Sequence, residues 1–391
     1  MRLRNILMAG VAATALALPA AAAPEQIRIG YISTLSGPAA SLGQEMLNAY
    51  QLALELNDGQ FGGIPVELVI GDDQSRPQVG VQLARQMLER DNVHFFSGLL
   101  FGHVVEAVNS AVQESGKLIV GQVGGSAELA GERCHENFFM ASWTTDTMFE
   151  AIGAHLASEG IERVVAVATN YSAGWDAVAG LKRGYGQDLA GEILVRLDQN
   201  EFGAELSQIR ATAPEAVVTF MPGGSGIAFA RQFHQSGLGN TVRPFAATFQ
   251  ADETTFRALG DAALGMVNAG PWNPYLENAA NERFVEAYRE KFGFNPSILA
   301  AMAYDTAMIL DQAIAAIDGD VEDTDRFREA LRTVEFESIR GNFRFNNNHF
   351  PVQDFFLSVV EEHPDGGMHN RLITRVFENR ADSHHESCPM N

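Results

Sequence analysis

The sequence predicts an α/β fold built as two similar halves, each a parallel sheet flanked by helices. Three observations carry this prediction. Short apolar runs alternate with helix-length amphipathic segments along the chain. The strand–loop–helix series that opens at residue 27 opens afresh at residue 163. The strand exits are rich in Gly, Ser and Thr. Strands separated by whole helices need crossover connections, and crossovers pair strands in parallel.

Taken in order, the apolar runs predict strands at 27–32, 66–72, 95–97 and 118–121 in the first half, which ends near residue 141. In the second half they fall at 163–169, 192–197, 216–220, 244–247 and 264–269, ending near residue 270. Helical periodicity covers 43–57, 78–89, 103–114, 146–159, 172–185, 205–213, 226–236, 253–259, 278–292, 298–317 and 324–333. The tail reads as antiparallel strands at 341–345, 355–360 and 372–377. A tail that returns after both halves are built implies more than one chain crossing between lobes. Two such sheets facing each other gather their C-terminal strand loops around a common cleft, where open α/β sheets bind ligands.

Arg2 and Arg4 precede an apolar run over 6–18, then Pro19 and a small-residue stretch, Ala20 to Ala23. This is the pattern of a secretory signal peptide over residues 1–23, cleaved within 20–23; a buried N-terminal helix is the alternative. The run is too short for a comfortable membrane span, and no lipobox cysteine follows it, so a membrane-embedded or lipid-anchored protein is not expected. Formal charge is −22; loss of Arg2 and Arg4 leaves 25 basic against 49 acidic residues, or −24. Such a surface repels nucleic acid and anionic membrane, which are bound by neutralising phosphates with Lys and Arg. The two cysteines, Cys134 and Cys388, make one disulfide the expectation for an exported chain. A zinc site from Cys134, His135, His384, His385 and Cys388 is the alternative, disfavoured by oxidising export and the lack of CxxC spacing.

Four sets of loops would face the cleft. In 33–43, Gly37-Pro38 makes a sharp turn, Ser41 can cap the following helix, and Leu42 forms a wall. In 98–103, Phe101 offers an apolar face and Gly102 a backbone amide. In 122–126, Gly124 and Gly125 allow close backbone approach and Ser126 can donate or cap. The second half supplies Tyr171, the 222–226 glycine series with Gly223, and Phe249-Gln250, with Trp175 nearby adding aromatic character. For each of these residues a purely structural role (N-cap, turn glycine, core ring) competes with ligand contact.

Enzyme chemistry finds no constellation here. The histidines show no HExxH spacing, no Ser sits in GxSxG, and the glycine series lacks the terminal Lys of a phosphate loop. Asp72-Asp73 are adjacent on a strand and face opposite ways, a poor acid/base pair, so they read as a cap and loop feature. No catalytic residue, metal site or cofactor is expected.

These residues together resemble the exported substrate-binding proteins of ABC importers, in the branched-chain amino acid (Leu/Ile/Val) binding class. The matching pieces are 27–43 with its Leu35-Ser36-Gly37-Pro38 turn, 57–63, 66–73 with Pro77, the Gly98 loop, 124–129, Phe202-Gly203, 216–218, 229–237 and 341–345. The resemblance implies the type I periplasmic binding fold: two Rossmann-like lobes joined by a multi-crossover hinge, a periplasmic location, a membrane permease as partner, and a monomer. Lobe 1 would comprise 24–142 and 272–344, lobe 2 143–271 and 345–380, with the 381–391 tail tied to lobe 1 by the disulfide. The resemblance also implies carboxylate binding at Gly102 and Ser126. The acid with which the second lobe normally grips an ammonium is missing, since the matching region reads Thr248-Phe249-Gln250-Ala251 and Asp252 would serve only if the loop shifted. Members that lack this acid include receptors for benzoates and hydroxycinnamates. An aromatic carboxylate is therefore the expected ligand; a branched-chain or other amino acid or amide is the alternative, as is a sensor that signals to a membrane partner.

Overall fold

A computed structural model describes residues 23–364 and 366–390. The expected leader, up to residue 22, lies outside the described residues. The first half runs β1 (Ile27–Ser33), α1 (Ala40–Leu56), β2 (Gln60–Phe61), β3 (Ile64–Asp72), α2 (Pro77–Glu89), β4 (Phe95–Gly98), α3 (Gly102–Gln113), β5 (Ile119–Gly121), α4 (Ala127–Ala130) and β6 (Phe138–Met140). The second runs α5 (Thr145–Ser158), β7 (Val164–Thr169), α6 (Ser172–Tyr185), β8 (Gly191–Val195), α7 (Gly203–Thr212), β9 (Ala216–Phe220), α8 (Gly224–Gln235), β10 (Arg243–Ala247), α9 (Glu253–Leu259) and β11 (Val267–Gly270). Then follow α10 (Ala279–Phe292), α11 (Ile298–Ala315), α12 (Thr324–Arg332), β12 (Phe343–Phe345), β13 (Pro351–Glu362) and β14 (Met368–Arg380).

These strands form two sheets, one per lobe, ordered β2-β3-β1-β4-β5-β6 and β12-β13-β11-β10-β9-β7-β8, with β14 added to β13. The inner pairs are parallel, as the crossovers require. β7 and β9 are buried along their whole length, which suits their unbroken apolar sequences. Antiparallel pairing appears in the β2–β3, β12–β13 and β13–β14 hairpins, where short turns replace helices, and between β11 and β13, which α10–α12 separate in sequence. β2 and β6 had no counterpart among the expected elements; at two and three residues they are too short to show a period. In each sheet the strand order reverses once beside a central strand, between β1 and β4 and between β7 and β9. A crevice opens at such points.

The chain passes between lobes after β6, after β11 and again between α12 and β13. The lobe boundary expected between residues 344 and 345 falls inside β12, which pairs with β13 in the second sheet. A buried polar knot ties the first and third crossings. Arg340 Nε lies 2.7 Å from Asp305 Oδ2 with both side chains fully buried, and Arg340 Nη1 reaches Gln353 Oε1 at 2.7 Å. Gln353 Nε2 in turn donates to the Ser142 carbonyl. α11, which carries Asp305, is long and apolar enough to cross a bilayer, but it packs on α1 in the core of the first lobe.

Cys134 and Cys388 form a disulfide with Cα atoms 5.6 Å apart, closing a separation of 254 residues. The tail it anchors touches the second lobe too, because His384 Nε2 lies 2.6 Å from Asp146 Oδ2 on α5 and Ser383 Oγ donates to Glu150 Oε2 at 3.1 Å. Among the described residues no group of His, Cys, Asp and Glu is arranged to hold a metal ion.

Candidate ligand-binding site

The two switch points face each other across the cleft and enclose a small cavity of about 40 Å³. Leu42, Leu100, Phe101, Gly102, Val123 and Gly124 form its first-lobe wall. Trp143 and Thr145, from the first crossing, and Leu299, from α11, line the hinge side. The second lobe adds Tyr171, Ala173, Phe220, Pro222 and Phe249. None of these side chains carries a formal charge. The rings interlock: Phe220 meets Phe249 edge-on at 5.8 Å and Tyr171 at 6.0 Å, and His103 packs edge-on against Tyr171 at 5.3 Å. Contacts of this kind pack the rings closely and leave a small apolar space between them.

Polarity enters the cavity through backbone. Phe101 and Tyr171 occupy the N-cap positions of α3 and α6, where Ser, Thr, Asp or Asn usually stand, and neither makes a side-chain capping bond. The first-turn amides of both helices are thus left without a capping side chain, at the positive ends of two helix dipoles. Gly124 lets its loop lie against the start of α3. Its φ is +84°, and a Cβ there would stand 2.8 Å from the Leu100 carbonyl oxygen. Burial raises the Tyr171 phenol well above its usual range, so it is neutral and able to donate.

Of the residues singled out from the sequence, Leu42, Phe101, Gly102, Tyr171 and Phe249 come together on the wall. Gly125 and Ser126 stand behind it. The Gly125 carbonyl accepts from Thr145 N at 3.0 Å and from Thr145 Oγ1 at 3.2 Å, and Ser126 Oγ caps α4 by accepting from Leu129 N at 3.4 Å. Gly223 meets the backbone of Pro38 and Ala39 across the cleft, forming a lip. Gln250 turns away from the cavity: its Oε1 accepts from Met221 N at 3.0 Å and its Nε2 donates to Thr219 Oγ1 at 3.3 Å. Trp175 is out in solvent, 55% exposed, donating to Asn170 Oδ1 at 2.9 Å. Asp72 and Asp73 brace the first loop. Asp72 Oδ1 accepts from Leu35 N at 2.9 Å, and Asp73 Oδ1 accepts from Thr34 Oγ1 at 2.6 Å.

Gly124, expected to allow close backbone approach, is on the wall too; the wall residues not singled out are Leu100, Val123, Trp143, Thr145, Ala173, Phe220, Pro222 and Leu299. Phe220 and Pro222 end a strand whose exit was flagged, so position alone could have found them. Trp143 and Thr145 sit on a crossing with no period, and Leu299 reads as one more apolar residue of a core helix.

Charges gather at the cleft's edges. Asp252 is buried outside the cavity with both oxygens engaged: Oδ1 accepts from Thr254 N at 3.1 Å, and Oδ2 accepts from Ile298 N, the first residue of α11, at 3.2 Å. At another edge Asp176 Oδ2 accepts from Ala127 N at 3.0 Å. Burial, reinforced by the nearby Asp146 and Glu106 carboxyls, pushes Asp176 up to about 6 despite that bond.

The family model for periplasmic binding proteins matches residues 26–367 of the chain. Leu/Ile/Val-binding protein homolog 6 of Brucella melitensis biotype 1 is 24% identical over 392 residues, covering 97% of this chain and 98% of its own. An ABC transporter substrate-binding protein from Sphaerobacter thermophilus is 30% identical with a TM-score of 0.83, over 90% of this chain and 98% of that one. The ABC-transporter solute-binding protein of Rhodopseudomonas palustris BisB5, solved in complex with 3,4-dihydroxybenzoic acid, is 26% identical with a TM-score of 0.86, over 92% and 99%.

Proposed function

The chain belongs to the periplasmic binding protein family, and we propose that it is an exported receptor that binds an aromatic carboxylate by closing two lobes over it and delivers it to the permease of an ABC importer. The observation that carries this reading is the cavity: aromatic, free of formal charge, and walled by two uncapped helix N-termini. A carboxylate there is held by neutral donors and helix dipoles, with the Gly102 amide and, once its cap loosens, the Ser126 hydroxyl as the first-lobe contacts. A benzene ring would lie among Phe101, Tyr171, Phe220 and Phe249, with the lobes easing apart to admit it, because the space now enclosed is only about 40 Å³. An α-ammonium would be buried with no counter-charge among the lining side chains, which is costly. Asp252, the one acid close to the expected position, has both oxygens occupied elsewhere. The R. palustris neighbour's aromatic acid points the same way. The amino-terminal leader fits export to the periplasm, and receptor work needs no catalytic group.

A thermal-shift screen followed by calorimetry tests this. Benzoate, 4-hydroxybenzoate and 3,4-dihydroxybenzoate are expected to raise the melting temperature of the mature protein, whereas leucine, isoleucine and valine leave it unchanged. Stabilisation by the amino acids alone would overturn the assignment and favour the function named for the Brucella relative.

A further inference from the structure

Lobe 1 and lobe 2 also meet at an edge of the cleft outside the cavity, and that contact is made largely of carboxyl groups. Asp252 belongs to the second lobe and accepts the first amide of α11, a first-lobe helix, at 3.2 Å. Glu253, beside it, accepts from Asn295 Nδ2 of the first lobe at 3.4 Å. Glu45, on α1, faces both and accepts from Tyr288 Oη at 2.7 Å. Among the described residues none of the three forms a salt bridge; Arg289 spends its guanidinium on Asn295 Oδ1 at 2.7 and 3.0 Å. Arg257, Tyr275 and His363 complete the ring of polar side chains around the open hollow in front of the cluster.

We propose that Asp252 is a positioning residue for lobe closure, and that with Glu45 and Glu253 it makes closure take up protons, so that solute binding strengthens as pH falls from 8 to 6. This rests on the reading that the lobes close over a solute. In the open form the second-lobe carboxyls swing away from Glu45 and α11 and regain water. In the closed form three like-charged groups crowd together behind and beside the hollow with hydroxyl and amide partners and no salt bridge, which disfavours their all ionising together. The direction is the same for each. Burial pushes Glu253 up to about 8, with Asp252 adding to it; burial pushes Glu45 up to about 7 and Asp252 up to about 6. A carboxyl whose pKa is higher in the closed than in the open form favours closure at low pH, and that contribution fades as pH rises through the closed-form value.

Calorimetry with 4-hydroxybenzoate, in buffers of different ionisation enthalpy, reads this directly. The probe's carboxyl is ionised throughout pH 6–8, so it contributes no proton. Net proton uptake and a roughly tenfold tighter Kd at pH 6 than at pH 8 are expected. Asp252→Asn can still accept the α11 amide, so it is expected to bind while showing a shallower pH slope. Asp252→Ala loses the contact and is expected to bind more weakly at both pH values. Zero proton uptake by the native protein, or an unchanged slope in Asp252→Asn, would overturn the proposal. Should the probe fail to bind at any pH, the ligand reading falls, and hydrogen exchange of the solute-free protein then decides. Protection at the start of α11, corrected for intrinsic rates, is expected to be higher at pH 6 than at pH 8; equal protection would sink the proton-linked contact.

Discussion

The cavity and the rim border the same cleft, yet they are built from opposite materials. The cavity has five aromatic rings and no charged side chain on its wall. The rim presses three carboxyls from both lobes together, and none of them forms a salt bridge among the described residues. What the solute touches is therefore set apart from what holds the lobes shut. An anionic solute in the cavity meets helix N-termini and neutral donors, whose field favours it. At the rim the same kind of group has hydroxyl and amide partners but no salt bridge, and burial drives it towards its neutral form. The hinge shows a third arrangement. There Asp305 is fully buried as well, but Arg340 neutralises it at 2.7 Å.

The largest expected effect tests that third arrangement. Arg340→Met leaves the Asp305 carboxylate in the core with no ion partner, which costs about 3–5 kcal/mol when one half of a buried pair is removed. Chemical denaturation should show a loss of this size. A variant as stable as the native protein would mean that Asp305 behaves like the rim carboxyls and simply takes up a proton. The next effect breaks the contrast from the other side. Phe249→Asp places a rim-like carboxyl in the cavity, removing a ring contact and setting like charge against the solute. Binding of benzoate should weaken by about a hundredfold or more, read by calorimetry. Retained affinity would mean that the cavity's neutrality is incidental.

Little of this contrast could be read from the chain alone. The alternation of strands and helices, the fresh start near residue 163 and the returning tail suffice for the two-lobe α/β architecture, because crossover handedness and length leave few other topologies. Strand exits also led to Phe101, Gly102, Tyr171 and Phe249. Orientation within a short turn was beyond reach. Phe249 and Gln250 are adjacent in one 3₁₀ turn, and only the fold decides that the ring faces the cavity while the amide binds Met221 and Thr219. Trp143 and Arg340 lie on chain crossings, where residues far apart in sequence meet, and Asp305, the partner of Arg340, is a polar residue inside α11; no local pattern marks them. The same holds for Asp252. From the sequence it could serve the solute only if its loop shifted, and its partner is an amide 46 residues away.

The smallest effect sharpens the comparison by pairing the rim with the tail. Asp146, at the start of α5, is as buried as Asp252, and burial alone would raise it likewise; His384 and Arg183 instead hold it down at about 2. The bond to Asp146 raises His384 in return, outweighing the partial burial that would lower it. A histidine raised on folding stabilises fully below its unfolded value near 6.5, and that stabilisation disappears as pH climbs through the folded value. His384→Gln should therefore cost under about 1 kcal/mol at pH 6, since Arg183 still pairs with Asp146 and the site is partly solvated. At pH 9 the variant and the native protein should melt together. The slope has the same sign as that of a rim carboxyl, since both groups hold their proton more tightly in the folded form and both contributions fade as pH rises. A His384→Gln difference that persists at pH 9 would show that the tail is held by packing and the disulfide, with the ion pair contributing nothing.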